Sequence, residues 1–259
     1  MCLDKIKYRI DKMKIDTEIS SKEIFELVNG LTLPQKVERS LDLINDAYTE
    51  FGKHLVVANS LGKDSCVVWH LAKQVSSEIK GFIVTTPFKP IETKKYMREF
   101  VRQYPETKIF ESDSTVDKLY ETEPDACCEI YKVEPTREAL EKLQAECWVT
   151  GLRCTEGRTR TDYREIEHRD QGLTKLNPIL ILEEREIWQY LAMNEIVVNP
   201  LYKEGYRSLG CTPCTAIAAG DERSGRWVGS SKCGGECGIH TQPLKRQKQE
   251  SQEIVNLLK

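Results

Sequence analysis

The stretch His54-Leu-Val-Val-Ala-Asn59-Ser-Leu-Gly-Lys-Asp-Ser65, with residues 66–75 behind it, decides the fold. Its first half is a short apolar run of strand type and its second a polar turn around one glycine; the residues that follow space their apolar side chains as a helix does. A strand, a turn and a helix in that order make an anion site, because backbone N–H groups of the turn and of the first helical turn point at whatever sits there. The turn is not a Walker A loop, since the glycine required five positions before Gly62 is Val57. Standing alone, it reads equally as a plain polar turn capped by Asp64 or Ser65.

Its surroundings repeat the theme. Upstream, residues 34–51 place Val37, Leu41, Ile44, Ala47 and Phe51 at helical spacing, with Pro34 suited to the first turn and Gly52 to the position after the end. Downstream, strands are expected at Gly81-Phe-Ile-Val-Thr-Thr86, Thr107-Lys-Ile-Phe-Glu111 and Glu146-Cys-Trp-Val-Thr-Gly151, separated by helical stretches at 91–104 and 133–145. A further helix is expected at 183–193. Such alternation predicts an α/β fold, a doubly wound parallel sheet. Ligands on these sheets collect beyond the carboxyl ends of the strands, so the turns after Asn59, Thr86 and Thr150 should face one pocket. Residues 153–169 read as a loop-rich passage carrying Arg153, Arg158, Arg160, Arg164 and Arg169 among acidic residues. These arginines suit either oxyanion recognition or a solvated charged face; Arg153 and Arg160, just past a strand, are favoured for the former.

A second organising stretch is Ser208-Leu-Gly-Cys-Thr-Pro-Cys214, two thiols in a turn bounded by glycine and proline. Cys127-Cys128 completes a set of four, too far away in sequence for a self-contained finger. Cys127, Cys128, Cys211 and Cys214 would meet only on folding, where they could bind zinc, carry an iron-sulfur cluster or be buried or disulfide cysteines; adjacent cysteines suit a larger cluster better than one small ion.

The chain has 259 residues, 39% of them hydrophobic, enough for one sizeable core with a tail. Lysine plus arginine number 38 against 41 acidic residues, a net charge of −3, which argues against a nucleic-acid coat and for a small-molecule ligand. The N-terminus lacks the apolar run of a signal peptide, and no window is long enough for a membrane span, so a cytoplasmic location is expected. Ten cysteines in a reducing compartment then point to metal ligands, redox groups or core thiols. Cys2, Cys66 and Cys147 read as ordinary thiols.

Taken together, the strings Ser60-Leu-Gly-Lys-Asp-Ser65, Cys127-Cys128-Glu-Ile-Tyr-Lys132-Val-Glu-Pro135, Thr150-Gly-Leu-Arg153, Asn199-Pro-Leu-Tyr202, Gly210-Cys-Thr-Pro-Cys-Thr215, Asp221-Glu-Arg-Ser-Gly-Arg-Trp227 and Glu236-Cys-Gly-Ile-His240 carry a resemblance. The chain resembles the assimilatory adenylyl-sulfate (APS) reductases of the phosphoadenosine-phosphosulfate (PAPS) reductase family, within the adenine-nucleotide α-hydrolase-like superfamily. The likeness runs from about Leu55 to His240, in order and spacing.

The resemblance implies a 4Fe-4S cluster on Cys127, Cys128, Cys211 and Cys214, and adenylyl sulfate as substrate. It implies Ser60, Gly62 and Ser65 on the nucleotide phosphate, Lys132, Arg223, Arg226 and His240 around the sulfate, and Arg160 on the nucleotide. Cys237 would be the nucleophile, in a segment so glycine-rich that the thiol can swing between substrate and reductant. Thioredoxin or glutaredoxin would supply electrons. Three domains are expected: a helical segment 1–52 packed on the core, a nucleotide-binding α/β domain 53–228 with the iron-sulfur site, and a mobile catalytic segment with polar tail, 229–259. The tail is a solvated appendix or a homo-oligomer contact, and Cys233 a spare or resolving thiol.

Leu61 stands where the loop's usual first glycine would be, and three further departures from the family pattern matter. Lys63 and Asp64 stand in the phosphate loop as in ATP-splitting relatives, Val84-Thr-Thr-Pro87 replaces the usual Leu-Asp-Thr-Gly, and Cys154 stands where a second arginine is frequent. They keep open a PAPS reductase and an ATP-using sulfur transferase with an RNA partner. A cluster-bearing regulator without turnover is the third class.

Overall fold

The computed structural model describes residues 19–116, 118–157, 160–169, 172–228, 238–240 and 244. Helices α1 (Ser21–Gly30) and α2 (Leu33–Phe51) lead into β1 (Leu55–Ala58), α3 (Lys63–Val75), β2 (Lys80–Val84), α4 (Ile91–Gln103) and β3 (Thr107–Phe110). The short α5 (Leu119–Thr122) and α6 (Pro124–Cys128), a π-helical turn (Glu129–Val133) and α7 (Glu134–Lys142) precede β4 (Cys147–Val149). Then come β5 (Ile166–Arg169), β6 (Leu173–Leu176) and α8 (Glu184–Met193).

The six strands form one sheet in the order β3-β2-β1-β4-β6-β5. All pairings are parallel except β5 with β6. The doubly wound parallel sheet expected is present, and the antiparallel edge adds to it a strand, β5, in the passage read as loop-rich, with Arg169 at its end. Its strands hide because they carry charges: Lys175, fully buried in β6, is held by Glu167 of β5 at 3.1 Å. Pairing a buried cation across the hairpin satisfies the charge but erases the apolar alternation by which a strand is read.

Alternation along the strands sends Leu55, Val57, Ile83, Cys147 and Val149 to one face, against α1, α2, α3, α4 and α8. Val56, Phe82, Phe110 and Trp148 go to the other face, against Val133, Ala139 and Leu140 of the α7 region. Ile24, Leu27, Leu43 and Ile44 of the first two helices belong to the first of these cores, and α2 begins with a Thr32/Gln35 capping box. Among the described residues no helix is long and apolar enough to cross a membrane.

Two features shape the end of β1. The helix after it begins at Lys63 rather than near Cys66, with Gly62 at its N-cap position, so Lys63, Asp64 and Ser65 form its first turn. Leu61 holds the left-handed region at φ 65° and is 2% exposed. Asn59 fixes this turn, its Oδ1 accepting from Leu61 N–H at 2.8 Å and from Ser65 Oγ at 2.9 Å.

Candidate functional site

Strand β1 has β2 on one side and β4 on the other, so the chain reverses its winding direction between β1 and β4. A crevice opens at such a switch point. Here it is a cavity of about 210 Å³ whose walls include Asn59, Thr86 and Thr150, the three turns expected to converge. Gly151 is required where two of them touch: a Cβ there would stand 2.9 Å from Ser65 N and 3.0 Å from Asp64 C, backbone atoms with nowhere to move. Gly151→Ala should therefore destabilise the fold by about 1–3 kcal/mol. A thermal melt checks this; an unchanged midpoint would show that the turns can part without cost.

Ser60, Gly62, Ser65, Lys132, Arg160, Arg223, Arg226 and His240 all line the cavity. Arg153 does not. It is 0% exposed, donating from Nε to Asp64 at 2.6 Å and from one terminal nitrogen to both Glu222 oxygens at 2.5 and 2.7 Å. Lys63 completes this group, its ammonium bonded to Glu222 and lying 3.4 Å from Asp64. Against the opposition of burial, the two carboxylates raise the Lys63 pKa. Cys237, Cys233 and Arg158 lie outside the described residues.

The cysteines gather beside this cavity. Cys127 and Cys128 end α6, while Cys211 and Cys214 bracket a 3₁₀ turn, Thr212–Cys214. All four are buried. Burial and the neighbouring Cys128 and Cys211, opposed by Lys132, push the Cys127 thiol up to about 11, as expected where thiols converge. Cys211 goes the other way: despite its burial, Lys132, Lys89, a bond to Thr86 and Arg226 hold its thiol below the ordinary value. The Thr86 hydroxyl lies 3.3 Å from Cys211 Sγ, and Thr212 N–H donates to Phe88 carbonyl at 2.9 Å, tying this turn to the end of β2.

Lys132 sits in the π turn, 3.8 Å from Cys128 Sγ and 5.3 Å from the centre of the Trp227 ring. Extra turns of this kind rearrange a helix's side-chain register and recur at working sites. Residues 215–227 fold back on the cysteine turn: Ala216 N–H donates to Gly225 carbonyl at 2.9 Å and Trp227 N–H to Cys214 carbonyl at 2.8 Å. Arg226, bonded to Leu209 carbonyl at 2.5 Å, lies against the Trp227 ring, while Arg223 and Arg160 share Glu156. Tetrahedral oxyanions are the ligands such a wall of cations fits.

His240 enters from the end of the chain. Its ring stacks on Trp148 at 5.7 Å between centroids, and its carbonyl accepts from Arg169. Burial first, then Lys175, Arg160, Arg223 and Arg169, hold its imidazole well below the ordinary histidine range. It is therefore neutral at pH 7, and its buried Nδ1 has no hydrogen-bond partner among the described residues. A neutral ring offers one N–H rather than a charge. Residues that sequence reasoning left out of the site include Lys89, Trp148, Glu156 and Tyr202, which share the cavity lining. Trp148 faces it by strand alternation, a signal present in Glu146-Cys-Trp-Val once the site face is known. Cys66 and Cys147 are buried core thiols, burial pushing Cys66 up to about 11.

The phosphoadenosine phosphosulfate reductase domain model matches residues 54–217. A curated adenosine 5′-phosphosulfate reductase from Halalkalibacterium halodurans is 33% identical over 228 residues, covering 82% of this chain and 97% of that protein. Adenosine 5′-phosphosulfate reductase 1 of Bacillus subtilis is 34% identical over 215 residues, covering 78% of this chain and 90% of its relative. Among solved structures, a PAPS reductase from Candida auris in phosphate complex has a TM-score of 0.62 at 20% identity, over 78% of this chain and 100% of that one. An FMN adenylyltransferase from Candida glabrata gives 0.59 at 15%, over 98% and 89%. At those identities the two structures show a shared fold and nothing finer. The domain match spans more than half of the residues and the reductase relatives align nearly end to end, so this chain belongs to the phosphoadenosine phosphosulfate reductase family.

Proposed function

We propose that this chain reduces adenylyl sulfate to sulfite and AMP through an S-sulfonated Cys237, in the assimilation of sulfate. The observation that carries the reading is that Ile239 and His240, two and three residues beyond Cys237, line the same cavity as the phosphate loop and Lys132, Arg223 and Arg226. A thiolate brought there meets the substrate where cations already stand. Its relatives' name, adenosine 5′-phosphosulfate reductase, supports the same substrate.

In the first stage the Cys237 thiolate attacks the sulfur of the sulfuryl group. A sulfur–sulfur bond forms, the bond from that sulfur to the bridging phosphate oxygen breaks, and AMP leaves with the electron pair. Lys132, Arg223 and Arg226 offset the charge that develops on the sulfuryl and phosphate oxygens. The backbone N–H groups of the loop between Ser60 and Ser65 hold the nucleotide phosphate. Neutral His240 donates an N–H to a sulfuryl oxygen. In the second stage a dithiol protein of the thioredoxin or glutaredoxin kind attacks the Cys237 sulfur and releases sulfite. Its second thiol then displaces Cys237 from the mixed disulfide, so that two electrons pass from the dithiol to the substrate's sulfur.

Four buried, converging cysteines are the donor set of an iron-sulfur centre, and Cys127, Cys128, Cys211 and Cys214 would hold a 4Fe-4S cluster. When bound, it supplies a compact anionic charge beside Lys132. Lys132 itself remains the group that faces the cavity and orients the sulfate.

The test is a comparison of APS, PAPS and ATP as substrates, with a dithiol donor, on anaerobically prepared protein. APS is expected to give kcat/KM at least roughly tenfold above PAPS, about the discrimination one mismatched charged group provides. A higher kcat/KM for PAPS would overturn the substrate, and pyrophosphate release from ATP would overturn the reaction class.

A further inference from the structure

We propose that Glu222 is a specificity-determining residue: it holds the phosphate-loop lysine, Lys63, away from the nucleotide, so that the site rejects nucleoside triphosphates. This rests on the reading of the loop after β1 as the nucleotide-phosphate site. Lys63 is the first residue of α3 and lines the cavity, so its four-carbon stem starts beside the place where an anion would meet the helix N-terminus. A lysine there is a point charge suited to a second or third phosphate.

In this structure that charge is engaged elsewhere. An ammonium has three N–H donors. Three acceptors surround this one: Glu222 Oε1, the Arg207 carbonyl at 3.2 Å and Asp64 Oδ2 at 3.4 Å. Glu222 cannot follow Lys63 toward a ligand, because Arg153 grips both of its oxygens and binds Asp64 as well. The two cations and two carboxylates sum to no net charge and are almost wholly buried. Oxygens of Asp64, Glu156 and Glu222 also lie within 4.8 Å of one another, so the carboxylates gather on the side to which Lys63 is drawn. The attraction a second or third phosphate would need is withdrawn, which discriminates against it. A substrate with a single phosphate loses little, since Arg160, Arg223, Arg226 and Lys132 line the other walls.

The experiment is nucleotide binding by titration calorimetry, in chelator and without divalent metal, for AMP and ATP. The wild type should bind AMP at least as tightly as ATP. Glu222→Gln, which keeps shape and drops the charge, should raise ATP affinity relative to AMP by about tenfold, the worth of one charge-assisted hydrogen bond. Lys63→Met/Glu222→Gln should return the ratio to its wild-type value. An unchanged ratio in Glu222→Gln protein that melts like the wild type overturns the proposal, as does a raised ratio that survives in the double variant. Lys63→Met alone covers a Glu222→Gln that does not fold: its ratio should match the wild type, and a selective loss of ATP binding would show that Lys63 already reaches the phosphates. Failure of the wild type to bind AMP at all would instead overturn the nucleotide reading of the loop.

Discussion

Cys237→Ser is expected to release no sulfite, a loss of about 10⁴-fold or more, as when a covalent nucleophile is removed. Its AMP affinity and its iron content should stay those of the wild type, because the loop, the cations and the four cysteines proposed to hold the cluster are untouched. The thiol lies outside the described residues, but the three residues after it are placed: Gly238 at φ 86°, then Ile239 and His240 in the cavity wall. Intact mass after mixing with adenylyl sulfate is the decisive readout, with a sulfonate adduct on the wild type and none on the variant. Normal turnover by Cys237→Ser, with Cys233→Ser inactive, would place the nucleophile four residues earlier.

Anaerobically purified protein is expected to be brown and to carry about four irons per chain, and Cys211→Ser to lose both. The choice of Cys211 follows from its setting. It is buried between the Thr86 hydroxyl and the turn that Phe88 anchors, with Lys132 and Lys89 favouring its thiolate. A serine there removes one soft ligand of four. Lys132 should then lose its anionic neighbour, so the variant's kcat/KM for adenylyl sulfate should fall by about 10²-fold, the usual cost of displacing a single oxyanion-stabilising group. Stoichiometric zinc in colourless wild-type protein would overturn the assignment.

Which parts were legible in the sequence follows from the range of the interactions. The strand-turn-helix at residues 54–75 and the strands after it are local signals, apolar periodicity broken by polar turns, and they appear within a few residues of where the pattern puts them. The π turn at Lys132 was not legible, because inserting one residue into a helical register leaves composition unchanged. The β5–β6 hairpin was masked by Glu167 and Lys175, whose pairing only exists once both strands are placed. Arg153 shows the same limit at the site. Its position beyond β4 put it near the ligand, yet its donors are satisfied by Asp64 and Glu222, partners distant in sequence. A motif can place a cation near a ligand, but not reveal which distant carboxylate takes its charge.

Leu61 has a consequence for how anions are received. Glycine at a left-handed position is ordered only weakly by its own chain, and a ligand must then supply part of the ordering. Here a leucine holds φ 65° because its side chain is anchored in the core, and Asn59 ties both ends of the turn. The conformational entropy of this cradle is lost when the protein folds rather than when an anion arrives. Binding of an anion there is left with less to restrain, so more of its interaction with the turn appears as affinity.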